Sequence, residues 1–171
     1  MRTLADKQLP WPALLEVRAT ARAAGRVVVW TNGTFDLLHP GHLASLQAAR
    51  ALGDLLVVGL NSDASVRGYK GPTRPILTEV ERAAMLAGLE CVDYVVVFDE
   101  PTPEESLRKL RPDLHCKGAE YAPPHGRPVP ELATVLAGGG RMAYLPLVPG
   151  VSTTDLLARI RTLGGPVEEG A

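Results

Sequence analysis

The chain has 171 residues, enough for one domain with a sizeable core, and its 18 basic and 19 acidic residues leave a formal net charge of −1. That balance supplies no global field toward nucleic acid or an anionic membrane, and no apolar run reaches the length of a membrane span. Met1 to Pro10 is polar, unlike a signal peptide, and Cys91 and Cys116 lack a Cys-x-x-Cys spacing, so a reduced, cytoplasmic interior is expected rather than a disulfide framework or zinc knuckle.

The first element is a helix over Pro12 to Ala24, closed by Gly25. A β-branched apolar run follows at Val27–Trp30, the first strand. Further strands are predicted at Leu55–Leu60, Tyr94–Phe98, Leu114–Cys116 and Met142–Leu145, each short, apolar and bounded by turn residues. Between them run helical patterns. Leu43, Leu46, Ala49 and Leu52 share one face after His42, and Val80, Ala84 and Ala87 share one after Thr78, a natural N-cap. Pro103 to Leu110 and Pro130 to Ala137 read as shorter helices with proline near the start. Leu156, Leu157, Ile160 and Leu163 stripe the last one.

Strand-helix alternation of this kind predicts an α/β fold: a single doubly wound, Rossmann-like domain with a five-stranded parallel sheet. The division expected is a helical extension over 1–25, the main domain over 26–163 and a flexible Gly- and Glu-rich tail over 164–171. Ligands of such sheets bind beyond the carboxyl ends of the strands, so the loops that follow strands matter most.

The first strand runs into Thr31-Asn32-Gly33-Thr34-Phe35-Asp36-Leu37-Leu38-His39-Pro40-Gly41-His42, and a helix follows at once. The free N–H groups of a helix start, with its dipole, make an anion site. Gly33 permits close backbone approach, and Gly41 lets the chain turn while two imidazoles stay near one point. His39 and His42 can each donate to a phosphate oxygen without a permanent charge. Two metal ligands are the alternative reading of a histidine pair, but His115 and His125 have no matching spacing, so no metal site is expected from the protein alone.

Gly33 to His42 resembles the GxFDxxHxGH segment of the cytidylyltransferase-like nucleotidyltransferases. Val151-Ser152-Thr153-Thr154 is similar to that family's second block. Asn61-Ser62-Asp63, Tyr69-Lys70-Gly71-Pro72-Thr73-Arg74-Pro75 and Glu81-Arg82 fit its middle. Within the family, Asn61 to Ser65 and Lys117-Gly118-Ala119-Glu120-Tyr121 look like the adenylyltransferases acting on D-glycero-β-D-manno-heptose 1-phosphate. Those enzymes usually carry Asp where Glu120 stands. The Arg that glycerol-phosphate cytidylyltransferases place before the Ser-Thr block is replaced here by Leu147, Val148 and Pro149.

The resemblance implies transfer of AMP from ATP to a sugar 1-phosphate, giving ADP-heptose and pyrophosphate, with transfer of CMP to an alcohol phosphate as the alternative. It implies that His39, His42 and Lys70 serve catalysis. It implies nucleotide contacts from Thr31, Asn32, Gly33, Thr34, Phe35, Gly41, Lys117, Gly118, Glu120, Ser152, Thr153 and Thr154. Asp36, Asn61, Asp63, Arg74 and Tyr121 would contact the acceptor. Mg²⁺ would accompany ATP. The partners expected are ATP, a phosphorylated sugar and a separate sugar kinase upstream; family members are often dimers or larger, which leaves room for a homo-oligomer. From the residues alone, Lys70 beside Gly71-Pro72 reads as a loop lysine, Ser152 to Thr154 as a helix cap, and Arg82 as either a phosphate ligand or a partner of Glu79 or Glu81.

Three rivals lose ground on sequence. A dehydrogenase wants GxGxxG after the first strand, where only Gly33 stands. The chain has no GxxxxGK[ST] loop of a P-loop NTPase, and no appendage for tRNA as in class I synthetases. A nucleotide-binding module without turnover survives, because fold alone does not decide function.

Overall fold

In the computed structural model, which describes residues 2–163, five parallel strands form one sheet. They are β1 (Val28–Gly33), β2 (Leu55–Asn61), β3 (Tyr94–Phe98), β4 (Leu114–Gly118) and β5 (Arg141–Leu145), in the order β3-β2-β1-β4-β5. The helices are α1 (Leu4–Lys7), α2 (Trp11–Ala23), α3 (Pro40–Arg50), α4 (Asp63–Lys70), α5 (Glu79–Gly88), α6 (Glu104–Leu110), α7 (Leu132–Ala137) and α8 (Thr153–Leu163). The doubly wound five-stranded sheet expected from the alternation is the fold observed. The expected tail, 164–171, lies outside the described residues.

Alternation along each strand divides the apolar residues between two cores. Val29, Leu56, Val58, Leu60, Val95 and Cys116 meet Leu46 and Ala49 of α3 and Ala83, Leu86 and Ala87 of α5. Val28, Trp30, Leu55, Val57, Val96 and Phe98 meet Leu14 and Ala21 of α2, Leu107 and Leu110 of α6 and Val135 of α7. Both faces of the central strands are covered, which is why β2 reads as an unbroken apolar run. The N-terminal segment belongs to this packing. Arg18 of α2 is buried, pairs with Asp113 at 3.0 Å and donates to the carbonyls of Leu110 and Arg111.

The sheet opens where its order reverses. β1 pairs with β2 from Val28 to Gly33, but with β4 only at Val29 and Trp30. Beyond Trp30 the two strands part, and the crevice lies between their carboxyl ends, at the switch point.

Three details differ from the apolar patterning. α4 has no counterpart in it, because Val66 is the only large apolar side chain that α4 buries; the helix starts on its cap, the Ser62 hydroxyl accepting from Ser65 N–H at 3.1 Å. Lys70, expected in a loop, is therefore the last residue of a helix. α5 turns Ala83, Leu86, Ala87 and Arg82 inward rather than Val80, which is exposed. α8 has no buried residue: Leu156 and Leu157 are half-buried, while Ile160 and Leu163 are exposed.

Two glycines should respond oppositely to a methyl group. The Trp30 ring fills the space a Cβ on Gly59 would need, whereas nothing stands near one on Gly68 in α4. Gly59→Ala is expected to cost about 1–3 kcal/mol through overpacking. Gly68→Ala is expected to gain about 0.5–1 kcal/mol in an open helical position. Denaturant midpoints of the two variants and the parent check both signs.

Candidate functional site

The crevice is a cavity of about 460 Å³, within the usual range for small-molecule sites. Its wall comprises Thr31 to Asp36, His39, Gly41, His42, Ser45, Lys70, Cys116 to Gly118, Glu120, Tyr121, Leu145, Leu147, Val148 and Val151 to Thr153.

The two imidazoles are held by helix geometry. His39 is the N-cap of α3, with extended backbone, and its Nδ1 accepts from His42 N–H at 3.3 Å. An Nδ1 that accepts must carry a lone pair, so in the neutral ring the proton resides on Nε2. Pro40 supplies the preset first helical φ, and Gly41 makes room: a Cβ there would stand 3.0 Å from the His39 ring. His42, three residues on, stacks on His39 with centroids 3.8 Å apart and planes 22° apart. The Phe35 ring also contacts His42, tilted 56° with centroids 5.4 Å apart.

Phe35 itself has φ of 47°, a left-handed conformation that is costly for a non-glycine residue. The bend brings its ring over Gly33, where a Cβ would meet it at 3.3 Å. The glycine thus accommodates an aromatic ring as well as any ligand.

Electrostatics keep the histidine pair neutral. Burial, then the neighbouring His39, then Lys70 push the His42 pKa down to about 4. Burial lowers His39 too. Lys70 is lowered by burial first and Arg74 second, with Asp36 opposing. Above pH 6.5 the pair can stack without mutual repulsion and still offer N–H donors.

Not every expected residue reaches the cavity. Asn61, Asp63, Arg74 and Thr154 are outside its wall. Asn61 is buried and donates to Ser65 Oγ at 3.1 Å. Asp63 receives Arg82 at 2.7 Å, and Arg74 pairs with Asp36 at 2.8 Å. Asp36 lines the wall, yet its oxygens also accept from the backbone N–H groups of Ile76 and Leu77 at 2.9–3.0 Å. These contacts hold loops together. Arg82 pairs with neither Glu79 nor Glu81: its buried guanidinium donates to Thr34, Asn61 and Leu77 carbonyls and to Asp63. Thr154 faces solvent because the Ser152 hydroxyl takes the cap of α8, accepting from Asp155 N–H and donating to its carboxylate.

On the β4 side, Lys117 lies 4.8 Å from the Tyr121 ring centroid and 2.7 Å from Glu131. Glu131, buried and also bonded to His115, was not anticipated from sequence. One signal was available: His115 and Lys117 occupy one face of a buried strand, which calls for a nearby carboxylate. Ser45, one turn beyond His42, and the apolar pair Leu147 and Val148 also complete the wall. Among the described residues no cluster of three His, Cys, Asp or Glu side chains could hold a metal ion, and no helix is long and apolar enough to cross a membrane.

Comparison with known proteins gives consistent matches. A family model described as cytidylyltransferase-like matches residues 30–159. The bifunctional protein HldE of Syntrophotalea carbinolica is 53% identical over 148 residues, covering 86% of this chain and 30% of the relative. HldE of Trichlorobacter lovleyi is 50% identical, covering 86% and 29%. HldE of Geotalea uraniireducens is 48% identical, covering 92% and 31%. The chain thus spans about three tenths of the length of these relatives. The crystal structure of the lipopolysaccharide core biosynthesis protein of Thermoplasma volcanium superposes with a TM-score of 0.58 at 27% identity, covering 72% of this chain and 98% of that one.

The pH response of the fold follows from His42. Its folded pKa, about 4, lies below the unfolded value near 6.5, so between these the unfolded chain binds more protons. The His42 contribution to stability is whole above about pH 6.5 and is lost as pH falls toward 4. Denaturant midpoints measured from pH 7 to pH 4 should decline less steeply in His42→Asn than in the parent.

Proposed function

The chain belongs to the cytidylyltransferase-like family, and from that premise we propose that it transfers AMP from ATP to D-glycero-β-D-manno-heptose 1-phosphate, releasing pyrophosphate and forming ADP-heptose. The observation that carries nucleotidyl transfer is the stacked, neutral His39–His42 pair at the amino end of α3, inside a cavity sized for a nucleotide. The relatives bearing the name HldE, and the likeness over Lys117 to Tyr121, support the heptose and ATP assignment.

The acceptor is already a phosphate, so its oxygen needs no general base. It attacks the α-phosphorus. The new P–O bond forms as the bond to the bridging oxygen breaks, and pyrophosphate leaves with that electron pair. Two anions must meet, so the protein's task is to align them and to stabilise oxygens where charge grows. His39 donates from Nε2, and His42 donates beside it. Both are uncharged at neutral pH, which avoids repulsion between them and with Lys70. Lys70, at the carboxyl end of α4, brings a cation to the same oxygens. The Gly41 N–H at the start of α3 and the first N–H groups of α8 add further donors, with the helix dipoles behind them.

The wall divides into two halves. Leu145, Leu147 and Val148 form an apolar side suited to a nucleobase, with Glu120 placed to accept from ribose hydroxyls. Tyr121, an acceptor contact on the resemblance, is assigned to this same side because its ring lies beside Lys117, and Thr34, a nucleotide contact on the resemblance, joins Lys70 on the acceptor side, its hydroxyl 2.6 Å from that of Tyr69. Magnesium would come with ATP. It would offset triphosphate charge. The sugar kinase that makes the acceptor is proposed to act separately from this domain.

Pyrophosphate release with ATP, Mg²⁺ and the heptose 1-phosphate tests the reading. Turnover is expected with that pair. His39→Asn keeps an N-cap side chain while removing the imidazole, and it and His42→Asn should each lower kcat by about 10²–10³-fold, as loss of a transition-state donor does. Undiminished turnover in both variants would refute the mechanism. Turnover with CTP and glycerol 3-phosphate alone would select the alternative substrates, and ATP binding without turnover would make the chain a binding module.

A further inference from the structure

Beneath the nucleotide side of the crevice lies a group of charges that the proposed chemistry does not itself use. His115 and Lys117 alternate on one face of β4, and Glu131 stands at the N-cap of α7. A single oxygen, Oε1 of Glu131, receives His115 Nε2 at 3.1 Å and Lys117 Nζ at 2.7 Å. His115 is fully buried and Glu131 is 2% exposed, while the Lys117 side chain is 18% exposed and lines the cavity.

Burial would raise the Glu131 carboxyl, but hydrogen bonds from His115 and Lys117 outweigh it and hold the pKa at about 2. The carboxylate is therefore charged at any working pH. With Nε2 donating, His115 Nδ1 can remain a bare lone pair; it has no partner among the described residues. Such groups are costly to bury, and apolar replacements of buried ion pairs are often neutral or stabilising. A stability role alone is thus a weak explanation for retaining three polar groups here. Their geometry offers another. One N–H of the Lys117 ammonium is committed to Glu131 and the nitrogen stands over the Tyr121 ring, so the N–H groups not engaged by these two are left for the crevice.

We propose that Glu131, braced by His115, is a positioning residue that aims the Lys117 ammonium at the nucleotide half of the site. The inference rests on the nucleotide reading above. Glu131 touches no ligand; it sets the direction and charge balance of the residue that does. Without it the flexible four-carbon stem of Lys117 would have many rotamers to give up on each binding event.

A double-mutant cycle on ATP affinity, measured by calorimetry with Mg²⁺ present, tests this without knowing the acceptor. Glu131→Gln and Lys117→Met should each weaken ATP binding about ten-fold, the loss of roughly one charge-assisted hydrogen bond. The double variant should bind within about two-fold of Lys117→Met alone, because the two residues act as one unit. Glu131→Asp, which keeps the charge and shortens the reach, should fall between parent and Glu131→Gln, and the cycle is read on it if Glu131→Gln does not fold. Unchanged affinity in the folded Glu131 variant, or losses that multiply in the double variant, would overturn the positioning role and leave the nucleotide reading standing. A parent protein that does not bind ATP would sink both.

Discussion

The crevice depends on one buried cation. The Arg82 guanidinium, 1% exposed, spends its donors on three carbonyls and one carboxylate drawn from three stretches of chain: Thr34 after β1, Asn61 and Asp63 where β2 passes into α4, and Leu77 before α5. An unsatisfied guanidinium would be prohibitively expensive there, so each partner is bound to its place. Asp36 mirrors it with opposite sign, drawing the Ile76 and Leu77 N–H groups and Arg74 onto the loop after β1. Together the two residues lock the loop after β1 to the sheet and to the segment before α5. Thr34 is held through its carbonyl, and the neighbouring Phe35 can persist in a left-handed conformation. Local strain of that kind survives only where surrounding contacts over-determine it.

The other half is organised by the same economy of charge. On the Lys70 side the protein gathers cations and two neutral imidazoles, with Asp36 as the balancing carboxylate. On the Lys117 side Glu131 is the balancing group. In each half of the crevice a buried carboxylate stands beside cations: Asp36 pairs with Arg74 and acts on Lys70 through space, and Glu131 pairs with Lys117. A triphosphate entering the crevice would meet N–H donors already oriented, and little reorganisation would remain.

Much of the fold was legible because doubly covered strands must be continuous apolar runs: β2 and β3 lie where Leu55–Leu60 and Tyr94–Phe98 read as strands. The His39-Pro40-Gly41-His42 segment was legible because capping, proline φ and ring clearance act over four consecutive residues. Long-range pairing was not. Asp63 and Arg74 carry the residue types of ligand contacts, but only the tertiary fold reveals that Arg82 and Asp36 claim them, and Asn61 is taken by Ser65 within the turn into α4. Helical spacing offers Arg82 only Glu79 and Glu81, whereas the fold brings it the Thr34, Asn61 and Leu77 carbonyls and Asp63. Glu131 escaped for the same reason, its partners lying on β4 rather than on α7.

Glu120 shows how the fold absorbs a change that sequence reads as a departure. The similar heptose adenylyltransferases usually carry aspartate there, and an extra methylene would ordinarily push the carboxylate outward by more than an ångström. In this chain it turns back instead. The Glu120 carboxylate occupies the volume that a Cβ on residue 118 would take, a space open only because residue 118 is glycine. The longer side chain is folded against its own backbone, and Arg127 N–H donates to the Glu120 carbonyl at 2.8 Å, tying down the turn from which it springs. Gly118 and Glu120 are therefore one device: the glycine sets how far the carboxylate projects into the crevice that both residues line.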